Sequence, residues 1–371
     1  MYRGRFAPSP TGALHLGSAA AAVICAAAAR AAGGALVLRM EDLDRDRVVR
    51  GCAEAILEDL RWLGLAWDEG PDVGGPHAPY AQSERTPLYE AALAHLGAQG
   101  LLFFCDCSRA EIARAASAPH AGEEGPRYPG TCRELGLRER AFKRPPAVRL
   151  AVPRGERAEV TVEDRVLGTL RENVGDVTGD FVVRRGDGVF AYQLAVVVDD
   201  LAMGVTEVVR GADLAASAPR QALLARLLGG EPPRFAHVPL VLGEGGERLA
   251  KRARGVPLAD QRAAGVSPAA LIRALAAAYG IDVRDADRDD ARATASRAEQ
   301  KPQGGPTSFQ EQTPSLSLPR GAGRGARDAG GDDARDAIDQ VAARLDWAKL
   351  RGARVTVGAI FEKLAARSPS G

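Results

Sequence analysis

Arg5-Phe6-Ala7-Pro8-Ser9-Pro10-Thr11-Gly12, followed by His15-Leu16-Gly17-Ser18, is the stretch whose reading decides the fold. Before it, Arg3 to Ala7 reads as a short strand. After it, an alanine-rich run from Leu16 to Ala32 reads as a helix stopped by Gly33-Gly34. The turn between them carries two prolines and a glycine. Ala35 to Leu38 is a continuous apolar run, as expected of a buried parallel strand ending near Met40. A further helix is expected over Val48 to Leu63, because Val48, Cys52, Ile56, Leu60 and Leu63 fall at helical spacing. Strand, helix, strand, helix is a βαβ unit, so the chain is α/β, with a Rossmann-type, doubly wound parallel sheet. In such a sheet the first strand-to-helix junction is where nucleotides bind. The helix N-terminus there offers free N–H groups and a positive dipole end to phosphate. His15 stands at that junction, able to donate hydrogen bonds to phosphate oxygens as charge develops. Gly17 leaves room for a base or ribose, and Ser18 shares the turn.

Thr86 to Gln99 reads as another helix. The βα rhythm then breaks, and an insertion over residues 101–180 holds three of the five cysteines. Strand Phe181 to Arg185, the turn Gly186-Asp187-Gly188, strand Thr206 to Arg210, helix Ser217 to Leu228 and strand Val238 to Leu242 are expected to resume it. A helix from Ser267 to Tyr279 opens on a Ser-Pro signal. Residues 1–100 and 181–255 are thus the two halves of a catalytic domain and 256–283 its helical end. Residues 284–371 are a tail. There Asp and Arg alternate, then Gly, Pro, Ser and Gln dominate through Arg327, the composition of a largely disordered linker. Helical patterns return over Asp333 to Leu350 and around Ala359 to Ala366.

The 371 residues allow about two domains, and 46% apolar content supplies a sizeable core. A net charge of +1 is neutral towards a nucleic-acid partner, since a local basic patch suffices. Ser18 to Ala32 is too short and too weakly apolar for a membrane span, and no charged n-region opens a signal peptide. A cytoplasmic monomer with no membrane partner is the expectation. Cysteines in such a protein are expected as metal ligands or buried thiols rather than disulfides.

The opening Arg-Phe-Ala-Pro-Ser-Pro-Thr-Gly-x-Leu-His-Leu-Gly-Ser resembles that of the class I glutamyl-tRNA synthetases and their short paralogues, with His15 to Ser18 as the "HIGH" element. Three further segments agree in order and spacing, over about Arg3 to Tyr279. Arg39-Met40-Glu41-Asp42-Leu43-Asp44 resembles the second-strand motif. Tyr192-Gln193-Leu194-Ala195, Val198-Asp199-Asp200 and Val209-Arg210-Gly211-Ala212-Asp213-Leu214 resemble the substrate-site block. Arg248-Leu249-Ala250-Lys251-Arg252 resembles the "KMSKS" loop. That loop departs from the pattern, with Arg248 for its first lysine and Ala250 for its small polar residue, while Lys251 remains. The resemblance implies ATP with Mg²⁺, L-glutamate and a tRNA as partners.

Activation joins the glutamate α-carboxylate to the α-phosphate of ATP. The protein must hold two anions together and stabilise an in-line transition state. His15 and Lys251 suit the triphosphate, one on each side. Arg5 and Arg210 can fork onto carboxylates, Glu41 can hold the ammonium and Tyr192 can add a hydrogen bond. The resemblance implies these same positions, with the backbone from Arg5 through Ala7 to Ser9, as the glutamate site. Read singly, Arg210 is equally an ion-pair partner of Asp213, and Glu41 a solvated acid at a strand end.

Cys105-x-Cys107 and the later Cys132 are a candidate metal site in the insertion, since zinc commonly takes thiolates among four ligands. His120 is the residue-level choice for the fourth position. The short paralogues, glutamyl-Q in type, carry Cys-x-Cys and Tyr-x-x-x-Cys as a structural zinc site, which implies Tyr128 instead, with one Zn²⁺ per chain. The family-like region ends near Tyr279, so no C-terminal anticodon-binding domain is expected. The resemblance to the short paralogues then implies transfer of glutamate to the queuosine base of tRNA(Asp). A truncated enzyme charging the 3′ end of tRNA(Glu), or a silent module binding ATP, glutamate or tRNA, is the alternative.

Overall fold

The computed structural model describes residues 1–115, 127–243, 245–246, 256–283 and 329–366. His120, the Arg248 to Arg252 loop with Lys251, and the linker 284–328 lie outside the described residues.

Strand β1 (Arg3–Phe6) leads through the Pro8–Thr11 turn into helix α1 (Leu16–Ala31). Strand β2 (Ala35–Leu38) returns parallel to β1, Arg3 opposite Ala35 and Phe6 opposite Leu38. Past its end the pairing continues, with Arg39 N–H donating to the Phe6 carbonyl and Glu41 N–H to the Pro8 carbonyl, each at 3.0 Å. Helix α1 is buried on nearly every side. Its alanines let strands and helices approach from all round, and alanine has the best helix propensity with no side-chain entropy to lose. Helix α2 (Cys52–Trp62) begins four residues later than the apolar spacing suggests. Gly51, at φ 81°, is left-handed and cannot continue a helix from Val48. Instead Val49 N–H donates to the Pro10 carbonyl at 2.9 Å, tying this stretch to the first turn. Helix α3 (Thr86–Ala98) completes the first half.

The inserted region opens with strand β3 (Leu102–Cys105) and helix α4 (Arg109–Ala115). Strand β4 (Ala147–Leu150) pairs antiparallel with β3. Strands β5 (Glu159–Asp164) and β6 (Gly168–Asn173) form a hairpin, followed by the single turn α5 (Val174–Val177). Strand β7 (Phe181–Arg184), expected to resume the catalytic rhythm, instead pairs antiparallel with β4. Val148, Leu150, Phe181 and Val183 of these two strands share one core cluster, so burial draws β7 to the insertion.

Helix α6 (Tyr192–Ala202), strand β8 (Glu207–Gly211), helix α7 (Ala218–Leu227) and strand β9 (Arg234–Val238) form the second half. β9 lies earlier than the expected Val238 to Leu242. Pro239 has no N–H to give a ladder, and the chain restarts as the two-residue strand β10 (Val241–Leu242). β8 and β9 are parallel, and β9 meets β5 where Asp164 pairs with Phe235, giving the order β6-β5-β9-β8. Thr206 N–H donates to the Arg3 carbonyl at 2.9 Å and brings the start of β8 alongside β1. The catalytic sheet is therefore mixed, because the β5–β6 hairpin is antiparallel, rather than purely parallel.

Helices α8 (Leu258–Ala263) and α9 (Pro268–Ala278) follow, the second capped by Ser267. The helical patterns expected over Asp333 to Leu350 and around Ala359 to Ala366 are formed, within a packed segment over residues 329–366. Helix α10 (Ala329–Arg344), the turn α11 (Trp347–Leu350), strand β11 (Val355–Thr356) and helix α12 (Val357–Ala365) pack on the catalytic half. Ala334, Ala337, Ile338 and Val341 are fully buried in one cluster with the alanines of α1. β11 pairs in parallel with β10. The helical spacing of those apolar residues marks a face, and that face closes the main core.

Candidate active site

His15 is the residue before α1, and its extended backbone leaves its ring over the helix start. Nδ1 accepts the Ser18 N–H at 3.3 Å, so the neutral ring carries its proton on Nε2, 3.2 Å from Ser18 Oγ. Burial keeps its pKa below the ordinary 6.5. A Cβ on Gly17 would lie 3.1 Å from two atoms of the His15 ring. Any larger residue here would press on the ring, which would have to shift by a few tenths of an ångström. Leu16 N–H donates to the Val256 carbonyl at 3.2 Å, and Leu258 N–H to the Leu14 carbonyl at 2.8 Å. The chain leaving the Lys251 loop is thereby fastened beside His15.

Arg5 on β1, Arg39 and Glu41 at the end of β2, and Asp199 and Asp200 on α6 meet in a buried charge cluster. Arg39, wholly buried, donates to Asp200 at 2.7 Å and lies 3.7 Å from Asp199 and 3.3 Å from Glu41. Burial opposes its charge, but the three carboxylates more than offset that and keep it a cation. Arg5 reaches Asp200 at 3.5 Å and the Val209 carbonyl at 3.4 Å. Asp199 is held by Arg85 at 2.6 Å, Gln82 at 2.7 Å and Tyr89 at 2.9 Å. Burial raises the Glu41 pKa against the pull of Arg39 and Arg5, so Glu41 is not the solvated strand-end acid. Tyr192, at the N-terminus of α6, belongs to the same group. Burial and then Glu41 raise its phenol pKa, while Arg210 and Arg5 lower it.

Arg210 on β8 has no ion pair with Asp213 among the described residues. Its Nε–H donates to His237 Nε2 at 3.0 Å, one terminal nitrogen donates to the Leu214 carbonyl at 3.2 Å, and its guanidinium lies 5.1 Å from the Phe235 ring centre. The other terminal nitrogen is buried with no hydrogen-bond partner. A buried cationic donor with no acceptor is costly unless an anion binds it. His237 Nδ1 lies 2.5 Å from Asp164, which also accepts the Val166 and Leu167 N–H groups at 2.8 Å. Ala7 is half-buried and Ser9 exposed. Both sit in the turn that Glu41 N–H pins through Pro8.

In the insertion, Cys105, Cys107 and Cys132 place their sulfurs within 4.8 Å of one another. The Tyr128 hydroxyl is 3.4 Å from Cys105 Sγ and 3.9 Å from Cys107 Sγ, and it accepts the Cys132 N–H at 2.9 Å. Arg149 stacks over the Tyr128 ring at 4.1 Å, and Arg140 reaches Cys132 Sγ at 3.6 Å. Burial and the neighbouring Cys105 push the Cys107 thiol up to about 12. Cys25 is buried in the core and bonds to the Arg5 and Val209 carbonyls.

Arg5, Glu41, Tyr192 and Arg210 therefore come together. His15, Gly17 and Ser18 form a separate turn, with no hydrogen bond or ion pair to those side chains among the described residues. Sequence reasoning passed over Asp164 and His237. They are 73 positions apart and meet only because β5 lies against β9. No local spacing signals such a pair.

Residues 1–288 match the family model described as tRNA synthetases class I (E and Q), catalytic domain. The chain belongs to this class I family. It is 54% identical over 286 residues to a protein of Symbiobacterium thermophilum called glutamyl-Q tRNA(Asp) synthetase, covering 76% of this chain and 87% of that one. It is 45% identical over 276 residues to glutamate–tRNA ligase 1 of Halorhodospira halophila, covering 73% of this chain and 57% of the ligase. A crystal structure of the glutamate–tRNA synthetase of Elizabethkingia anophelis is similar at 25% identity, TM-score 0.67, over 98% of this chain and 69% of that one. As a class I synthetase of this family, the protein is a ligase. No described helix of it is long and apolar enough to cross a membrane.

Proposed function

We propose that this synthetase activates L-glutamate with ATP and transfers the glutamyl group to the queuosine base of tRNA(Asp). The observation that carries the amino-acid assignment is the buried, unpartnered donor of Arg210, facing the same cluster as Arg5, Glu41 and Tyr192. An amino acid with two carboxylates and one ammonium complements two guanidiniums and one carboxylate. Arg210 and Arg5 hold carboxylates, Glu41 takes the ammonium on the side that Arg39 leaves free, and Tyr192 bonds to the substrate. Backbone groups from Ala7 to Ser9 line the approach.

In the activation step an oxygen of the glutamate α-carboxylate forms a bond to the ATP α-phosphorus. The bond from that phosphorus to the bridging oxygen breaks, and pyrophosphate leaves. ATP arrives as its Mg²⁺ complex. His15 donates its Nε2 proton as a hydrogen bond to the phosphates, the helix start supplies N–H groups, and Lys251 neutralises the leaving group from its loop. In the second step a hydroxyl of the modified base attacks the glutamyl carbonyl and AMP departs. Transfer to the modified base is favoured by the higher identity and fuller coverage of the glutamyl-Q relative over the ligase.

Cys105, Cys107, Cys132 and Tyr128 would hold one structural Zn²⁺. Three thiols and a phenol supply four donors, and Arg149 and Arg140 offset their negative charge. That ion would pin the insertion and take no part in the reaction.

The test is transfer of labelled glutamate, with ATP, onto tRNA from cells with and without queuosine. Label on tRNA(Asp) only when queuosine is present is the expected result. Label on tRNA(Glu) would mean 3′-end charging. No label and no glutamate-dependent pyrophosphate exchange would mean a silent binding module.

A further inference from the structure

Arg210 is held by an unusual neighbour. A side chain that accepts from an arginine is most often a carboxylate, yet here the acceptor is a histidine ring nitrogen. The ring can accept only if Nε2 is unprotonated. Asp164 enforces that form by taking the proton-bearing Nδ1 at 2.5 Å. Asp164 is itself fixed by three backbone N–H groups, those of Val166, Leu167 and His237. His237 is fully buried and stacked on Phe235, with ring centres 5.6 Å apart and planes 6° from parallel. The relay Asp164, His237, Arg210 therefore runs in one direction. It ends on a guanidinium whose remaining donor has no partner in the protein.

We propose that His237 is a positioning residue for glutamate recognition, fixing Arg210 so that its last donor meets a substrate carboxylate without cancelling its charge. This rests on the assignment of Arg210 to glutamate above. A carboxylate at position 237 would hold the arginine equally well but would neutralise it and compete with the substrate. A neutral imidazole holds it by one hydrogen bond and leaves the full charge for the ligand. An apolar residue would leave the Nε–H unpaired and the side chain free to turn.

The charged groups that face His237 are Asp164, Arg210 and Arg5. Burial and the two arginines hold its pKa below the ordinary 6.5, against Asp164. The acceptor is thus present at neutral pH. It is lost only as pH falls through that lowered value, when protonated Nε2 would face the Arg210 Nε–H.

The experiment is glutamate-dependent ATP–pyrophosphate exchange across pH for the wild type, His237→Leu, His237→Gln and Arg210→Lys. His237→Leu is expected to raise the glutamate KM about ten- to a hundredfold, the range for a hydrogen bond to a charged group. The ATP KM should stay within about twofold, as a local effect on Arg210 predicts. Gln, whose carboxamide spans the same two partners, is expected to restore the glutamate KM to within about threefold. In the wild type the glutamate KM should climb on acidification, and that limb should vanish in His237→Gln. If Arg210→Lys raises the glutamate KM while His237→Leu and acid leave it unchanged, the positioning role is wrong and the Arg210 assignment stands. If neither substitution moves it, the Arg210 assignment fails as well. Should His237→Leu not fold, the pH comparison between wild type and His237→Gln decides alone: no difference overturns the role.

Discussion

Arg39 and Asp200 form a buried ion pair in the charge cluster that also holds Arg5 and Glu41, 2.7 Å apart with no part of the arginine side chain exposed. The same guanidinium faces Asp199 and Glu41, so it sits among three poorly solvated carboxylates, sharing Asp199 with Arg85 and Asp200 with Arg5. Removing it is predicted to be severe. Arg39→Met keeps the volume but leaves buried negative charge uncompensated, at a cost of about 3–5 kcal/mol. Denaturant unfolding should show the loss as a lower midpoint with an unchanged slope. A variant as stable as the wild type would mean that the carboxylates are protonated or hydrated.

His15→Ala is predicted to act on turnover. The ring is neutral, carries its proton on Nε2, and makes no hydrogen bond or ion pair with Arg5, Glu41, Tyr192 or Arg210 among the described residues. In the role proposed for it, that donor meets phosphate rather than glutamate. Loss of one such donor typically lowers kcat by about 10²–10³-fold. Pyrophosphate exchange should therefore slow with little change in the glutamate KM. An unaltered rate would remove His15 from the activation step.

The parts of this site legible in the sequence are those made by neighbours in the chain. The Pro8-Ser9-Pro10 turn, His15 and Gly17 sit together because turn and helix cap are local structures. Arg5, Glu41, Tyr192 and Arg210 are each within a few residues of a strand or helix end, where an α/β sheet gathers its ligand groups. The Asp164–His237 relay was not legible, since it depends on β5 lying against β9. For residues 329–366 the helices were legible and their packing was not. Their helical spacing was visible, but the surface they cover is the alanine face of α1, which looks too bland to require a partner. β7 was legible as a strand but its sheet was not, because a short apolar strand fits either sheet until its neighbours are known.

That docking yields a prediction. Ile338 is fully buried at the contact of α10 with the α1 region. Ile338→Ala is expected to cost about 2–5 kcal/mol, the range for truncating a buried isoleucine. Thermal unfolding should register it as a clear fall in Tm. A disordered tail would tolerate the change without effect.

Stability should also follow pH through half-buried His15 and buried His237. The folded-state pKa values of His15 and His237 are both depressed below 6.5. In the unfolded chain each takes up a proton near that value, whereas the native state refuses it until lower pH. Their contribution is therefore fully present above about 6.5 and is lost as pH falls through the depressed values, by up to about 1.4 kcal/mol per pH unit per ring. Asp164 adds a second loss in the carboxylate range. Burial would raise its pKa, but the His237 bond and backbone N–H groups hold it low, so its stabilisation goes only on stronger acidification. Urea midpoints measured at falling pH should decline first in the histidine window. His237→Gln should shrink that first decline and leave the remainder to His15. An identical decline in the variant would mean that His237 exchanges its proton as freely in the native state as in the unfolded chain.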